Sequence, residues 1–164
     1  MRLSPPPGSS TETFASRLES HGDATALIDE AGVRISYAEL ARRADAFAAR
    51  LGSAPRLLMI EAANAVEPVC AYLGALRAGH PVLMSAGGPT AQRIVDTYRP
   101  DAILYREGRD WITSLEPIQP EAPHPDLGLL LSTSGSTCSA KLVRLSRTAV
   151  EANALSICEY LRIA

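Results

Sequence analysis

Three short apolar runs separated by two helical segments restrict this chain more than any other feature. "RLLMIEAA" (residues 56–63), "HPVLMSA" (80–86) and "DAILY" (101–105) each have strand length and are bounded by turn residues. In the first gap, Val66, Val69, Cys70, Leu73 and Leu76 recur at helical spacing, with Pro68 in the first turn, where its missing N–H does least harm, and Gly79 at the stop. Asn64 and Glu67 are placed to cap that helix. "PTAQRIVDTYRP" (89–100) reads as the second helix. Consecutive parallel strands need a crossover of about a dozen residues, usually helical, so the order βαβαβ predicts an α/β fold: a layered, parallel-type sheet with flanking helices.

The flanks extend this plan. After a proline-rich arm expected over residues 1–13, "ATALIDEAGVRISY" (24–37) reads as a hairpin turning near Glu30, Ala31 and Gly32. Ser36 and Glu39 have capping-box spacing for a helix that carries Leu40, Ala44, Phe47 and Leu51 on one face and closes at Gly52. Four prolines between Glu116 and Asp126 make that stretch a loop. "LGLLL" (127–131) and "AKLVRLS" (140–146) read as strands. The segment from Thr148 to Ile163 reads as a helix with Val150, Ala154, Ile157, Cys158 and Leu161 on its apolar face. Residues 14–164 are expected to form one α/β unit.

With 46% apolar and 21% charged residues and a formal net charge of −2, nothing favours nucleic acid or a membrane surface as partner. "MRLSPPPGSS" lacks the apolar core of a signal peptide, so a cytoplasmic location is expected. Cys70, Cys138 and Cys158 have no metal-ligand spacing; Cys70 and Cys158 are expected as core thiols. His21, His80 and His124 are scattered and are read as ordinary residues, and no metal site is expected.

The chemistry concentrates in "LLLSTSGSTCSAKLVRLS" (129–146), where seven hydroxyl side chains, one glycine and one lysine sit between two apolar runs. Gly135 permits close backbone approach, hydroxyls and N–H groups donate hydrogen bonds, and Lys141 adds a point charge, a combination suited to a polyphosphate. A solvated Ser/Thr turn accounts for the same composition. The pattern is not a Walker-type P-loop, which needs G-x-x-x-x-G-K-(S/T) followed by a helix. A Ser-x-x-Lys acyl-transfer motif would need serine where Cys138 stands, and a Cys-x-x-Lys nucleophile has no histidine or carboxylate placed by the sequence to activate it.

"TSGSTCSAK" (Thr133 to Lys141) resembles the phosphate-binding loop of the AMP-forming adenylating enzymes, the superfamily of acyl-CoA synthetases, peptide-synthetase adenylation domains and luciferase, whose pattern is T-S-G-(S/T)-T-G-x-P-K-G. "ISYAEL" (35–40) and "ALRAGHPVLM" (75–84) are similar to two further motifs of that superfamily, in the same order. The resemblance implies a ligase that activates a carboxylic acid with Mg·ATP to an acyl-adenylate and passes it to a thiol, of CoA or of a phosphopantetheine-bearing acyl carrier protein. It assigns the ATP phosphates to Thr133, Ser134, Gly135, Ser136, Thr137 and Lys141. Cys138, Ala140 and Leu142 depart from the pattern, standing where glycine, proline and glycine are usual. It further implies that these residues form the first subdomain of a large N-terminal domain, with no catalytic residue within them, so that the chain alone is expected to be inactive and to expose an apolar surface that favours self-association. A degenerate nucleotide-binding or interaction module without catalysis is the alternative reading.

Overall fold

The computed structural model describes residues 13–132 and 142–162. A 3-10 helix, Phe14–His21, precedes a two-stranded antiparallel sheet of β1 (Thr25–Ile28) and β2 (Arg34–Ser36). Then follow α1 (Tyr37–Leu51), β3 (Leu58–Glu61), α2 (Val66–Ala78), β4 (Val82–Ser85), α3 (Gly88–Tyr98), β5 (Ala102–Glu107), β6 (Asp110–Leu115), β7 (Leu127–Ser132), β8 (Leu142–Ser146) and α4 (Arg147–Leu161). The main sheet has the order β6-β5-β3-β4-β7-β8. Its four inner strands are parallel, and β6 and β8 add antiparallel edges.

Side-chain alternation along β3 divides the core. Leu58 and Ile60 point to one face, where Phe47 and Leu51 of α1 and Ala71 and Ala75 of α2 meet Val82, Leu104 and Leu129. Met59 points to the other, where Ile94 of α3 packs with Leu83 and Leu130. Strands covered on both faces must be apolar throughout, which is why the sequence here shows continuous rather than alternating hydrophobic runs.

α1 and α2 cross closely because small residues face each other. A β-carbon added at Gly74 would lie 2.3 Å from the Ala44 carbonyl oxygen, so only glycine fits there. On their outer side Leu40, Leu73 and Leu76 enclose Ala15 and Leu18 of the 3-10 helix.

Several sequence expectations need correction. Ser36 caps α1, its hydroxyl accepting the Glu39 N–H at 3.2 Å, but the reciprocal half of the box is absent: the Glu39 carboxylate takes Arg42 and Arg43 instead, two cations within one helical turn. Asn64 does not cap α2; the N-cap is Ala65, without a side-chain hydrogen bond. Cys158 is exposed, whereas Cys70 is buried as expected and its thiol is pushed up to about 11 by burial. α4 has no buried residue, so of its expected apolar face only Val150 reaches the core and Ile157 and Leu161 stand exposed. The strand β6 and the 3-10 helix, which the periodicity did not indicate, are both present.

Three polar side chains close the sheet at its amino edge. His80 is fully buried in the turn between α2 and β4; its Nδ1 accepts the Arg56 N–H at 3.1 Å and its Nε2 lies 3.1 Å from the Gly52 carbonyl, so the neutral Nε2–H tautomer satisfies both contacts. Asp101 accepts the N–H groups of Leu57 at 2.8 Å and Gln119 at 2.7 Å. The Arg56 guanidinium donates to the carbonyls of Leu51 and Glu116.

Two tests follow from this packing. Gly74→Ala should cost about 1–3 kcal/mol, read as a lower urea midpoint, because the helices cannot part without opening both cores. Burial lowers the His80 pKa, opposed in part by its bond to the Gly52 carbonyl. The neutral ring is therefore favoured in the folded state. Its contribution to stability is complete above the unfolded value of about 6.5 and is lost as pH falls through the lower folded value. Thermal unfolding at a pH of about 5.5 against about 7.5 should show this loss, and His80→Gln should flatten that part of the dependence.

Candidate functional site

Parallel strands end together, and here β3, β4 and β7 finish at one carboxyl edge with Glu61, Ser85 and Ser132. β3 leads into α2 on one face of the sheet, while β4 leads into α3 on the other. Adjacent strands whose connections leave to opposite faces open a crevice between their carboxyl ends, the usual ligand position of an open α/β sheet.

The crevice is built tightly. Ser85 is 1% exposed, and its Oγ accepts the Gly87 N–H at 3.2 Å. Gly87 has φ +78° and ψ −166°, a region almost confined to glycine, and a β-carbon there would lie 3.0 Å from the Glu61 carboxylate. Glu61 itself accepts the Arg106 N–H at 3.4 Å, and the Ala62 N–H donates to the Ser85 carbonyl at 2.8 Å, joining the two lips. Sequence reasoning missed Glu61, Ser85 and Gly87. The paired glycines of "SAGGP" between a strand and a helix were the available signal.

Thr133, Ser134, Gly135, Ser136, Thr137 and Lys141, with Cys138, lie outside the described residues. The residues that bracket them do not: Ser132 and Leu142 are register partners on β7 and β8, and β7 lies directly beside β4. Both residues that flank the segment thus belong to the carboxyl edge.

Cavity volume points elsewhere. A cavity of about 810 Å³ lies at the opposite, amino edge, lined by Pro55, Pro81, Arg77, Arg147 and Glu151 among others. Its charged groups already have protein partners: Arg77 pairs with Glu19 and Asp45, Arg147 donates to the carbonyls of Gly79 and Pro125, and Glu151 accepts the Phe14 N–H. A second cavity of about 640 Å³ flanks the β3 lip, between Ile28, Val66, Val69 and Trp111. Among the described residues no cluster of His, Cys, Asp and Glu could hold a metal ion, and no helix is long and apolar enough to cross a membrane.

The sequence pattern of the AMP-binding enzyme family matches residues 14–102, more than half of the chain. The chain belongs to this family of adenylate-forming enzymes. The matched region runs from the 3-10 helix into β5 and contains both lips of the crevice, but stops before the polar segment, so membership does not depend on Thr133–Lys141. Among solved structures, ATP-bound MatB from Rhodopseudomonas palustris is similar, with a TM-score of 0.69 and 23% identity over 93% of this chain. So is a fatty acyl-adenylate ligase from L. pneumophila, at 0.69 and 23% over 90%. A four-domain nonribosomal peptide synthetase bound to AMP and glycine has 0.66 and 20% over 94%. The chain spans 38%, 32% and 13% of these three proteins. Among curated proteins none matches it.

Gly87→Ala should be destabilising by about 1–3 kcal/mol, since it adds backbone strain and presses on Glu61. Glu61→Ala in the same chain should recover only the contact part of that loss, which a double-mutant cycle in urea unfolding resolves.

Proposed function

We propose that this chain forms the phosphate-side part of the ATP site of an acid-activating ligase. The observation that supports this is the register partnership of Ser132 with Leu142, the residues flanking Thr133–Lys141, at the carboxyl edge of the sheet in a member of the AMP-binding family. In the reaction, a carboxylate oxygen attacks the α-phosphorus of ATP, forming the O–P bond of an acyl-adenylate as the bond to pyrophosphate breaks. A thiol then attacks the acyl carbon and AMP leaves. The acceptor is CoA or the phosphopantetheine arm of a carrier protein.

Negative charge grows on the β- and γ-phosphate oxygens as pyrophosphate departs. Hydroxyls of Thr133, Ser134, Ser136 and Thr137, the backbone at Gly135 and the Lys141 ammonium are the donors for those oxygens. Mg²⁺ supplies charge neutralisation on the same phosphates. The hydroxyl oxygens of Thr133, Ser134, Ser136 and Thr137 are the groups of this segment that would lie nearest such an ion. No residue of this chain is assigned to the acid, the adenine or the ribose. The exposed Leu155, Ile157, Tyr160 and Leu161 of α4 favour association of the isolated chain with itself.

Calorimetric titration with Mg·ATP tests the reading. Lys141→Ala should weaken binding about tenfold to a hundredfold, the loss of one bond to a charged group, and Cys138→Gly should leave it within a few-fold. Acid-dependent ATP–pyrophosphate exchange should be absent from the 164-residue chain. A large gain in affinity from Cys138→Gly would instead favour the second reading, a degenerate module whose loop has lost its phosphate contacts.

A further inference from the structure

The 3-10 helix Phe14–His21 is fixed to the core. Ala15 and Leu18 are buried against α1 and α2, Arg77 of α2 donates to the Ala15 carbonyl at 2.7 Å, and the same guanidinium pairs with Glu19. α4 is the reverse case. None of its residues is buried, and among the described residues no side chain beyond Glu151 makes a hydrogen bond or ion pair to another element. Its first turn alone is held otherwise, by Arg147 on the carbonyls of Gly79 and Pro125, by the Ser146 cap on the Ala149 N–H, and by Val150 against the core.

Glu151 joins the fixed element to the loose one across 137 residues of sequence. Its two carboxylate oxygens accept the Phe14 N–H at 3.0 and 2.9 Å, and one lies 3.4 Å from the Arg17 guanidinium. Phe14 opens the 3-10 helix, so its N–H has no acceptor within that helix; the Thr13 hydroxyl serves Ser16 instead. A carboxylate is favoured at this positive helix end, and the Glu151 side chain is only 14% exposed, which limits competition from water.

We propose that Glu151 is a latch that docks α4 onto the 3-10 helix, and that α4 opens as a unit when the latch is released while the sheet and α2 stay closed. α4 continues directly from β8, the strand that follows Thr133–Lys141, so the latch couples the first described residues to the strand bordering that segment. A helix of 15 residues freed from its dock is marginal in water, so release converts a held helix into a fraying one.

Hydrogen exchange followed by mass spectrometry on the 164-residue chain tests the latch independently of any nucleotide. In Glu151→Ala the amides of residues 152–160 should exchange about tenfold to a hundredfold faster, while those of α2, β3 and β4 change less than about twofold. Glu151→Gln, which keeps one acceptor oxygen but no charge, should give a smaller acceleration confined to the same residues. Unchanged exchange of α4 in Glu151→Ala would overturn the proposal. So would acceleration of α2 and β3 equal to that of α4 in Glu151→Gln, since the bond would then be part of global stability rather than a local dock.

Discussion

Burial of β3 on both faces is the constraint from which the rest of the arrangement follows. Leu58 and Ile60 need α1 and α2 on one side, and Met59 needs α3 on the other. A chain that satisfies both must send its first crossover to one face and its second to the opposite face, and that reversal opens the crevice between Glu61 and Ser85. Site and core are consequences of one packing requirement.

The two edges of the sheet are treated in opposite ways. At the amino edge, His80, Asp101 and Arg56 take up backbone N–H and carbonyl groups. At the carboxyl edge, the chain is held in a glycine-only conformation at Gly87 with a carboxylate directly over it, and Ser132 and Leu142 lie along the same edge. Family membership is carried by residues 14–102, which contain both lips of the crevice, and Ser132 and Leu142 lie along the same carboxyl edge on β7 and β8.

α4 differs from the other helices. α1 and α2 are held by apolar burial, which is non-directional and tolerates local change, whereas α4 depends on a few directional bonds in its first two turns. Its far half exposes Leu155, Ile157, Tyr160 and Leu161, and its one strong tie to the 3-10 helix is a single carboxylate. The chain thus combines a closed α/β core with one lightly docked helix.

Periodicity and turn chemistry alone determined α1, α2, α3 and the buried strands, because continuous apolar runs and helical spacing are local consequences of being covered on two faces or one. The capping role of Ser36 and the stop at Gly79 were legible for the same reason. The phosphate reading of Thr133–Lys141 rests on residue types and resemblance, those residues lying outside the described ones. Tertiary structure decided what depends on distant neighbours. Glu39 turned from its expected cap to two arginines, Cys158 and most of the α4 face stand exposed among the described residues, and β6 formed because β5 offered it an edge. Glu61 became a site residue only when Gly87 was brought beneath it from 26 positions away in sequence. Such pairings lie outside sequence reading because their energy resides in contacts between segments, and no segment carries that information by itself.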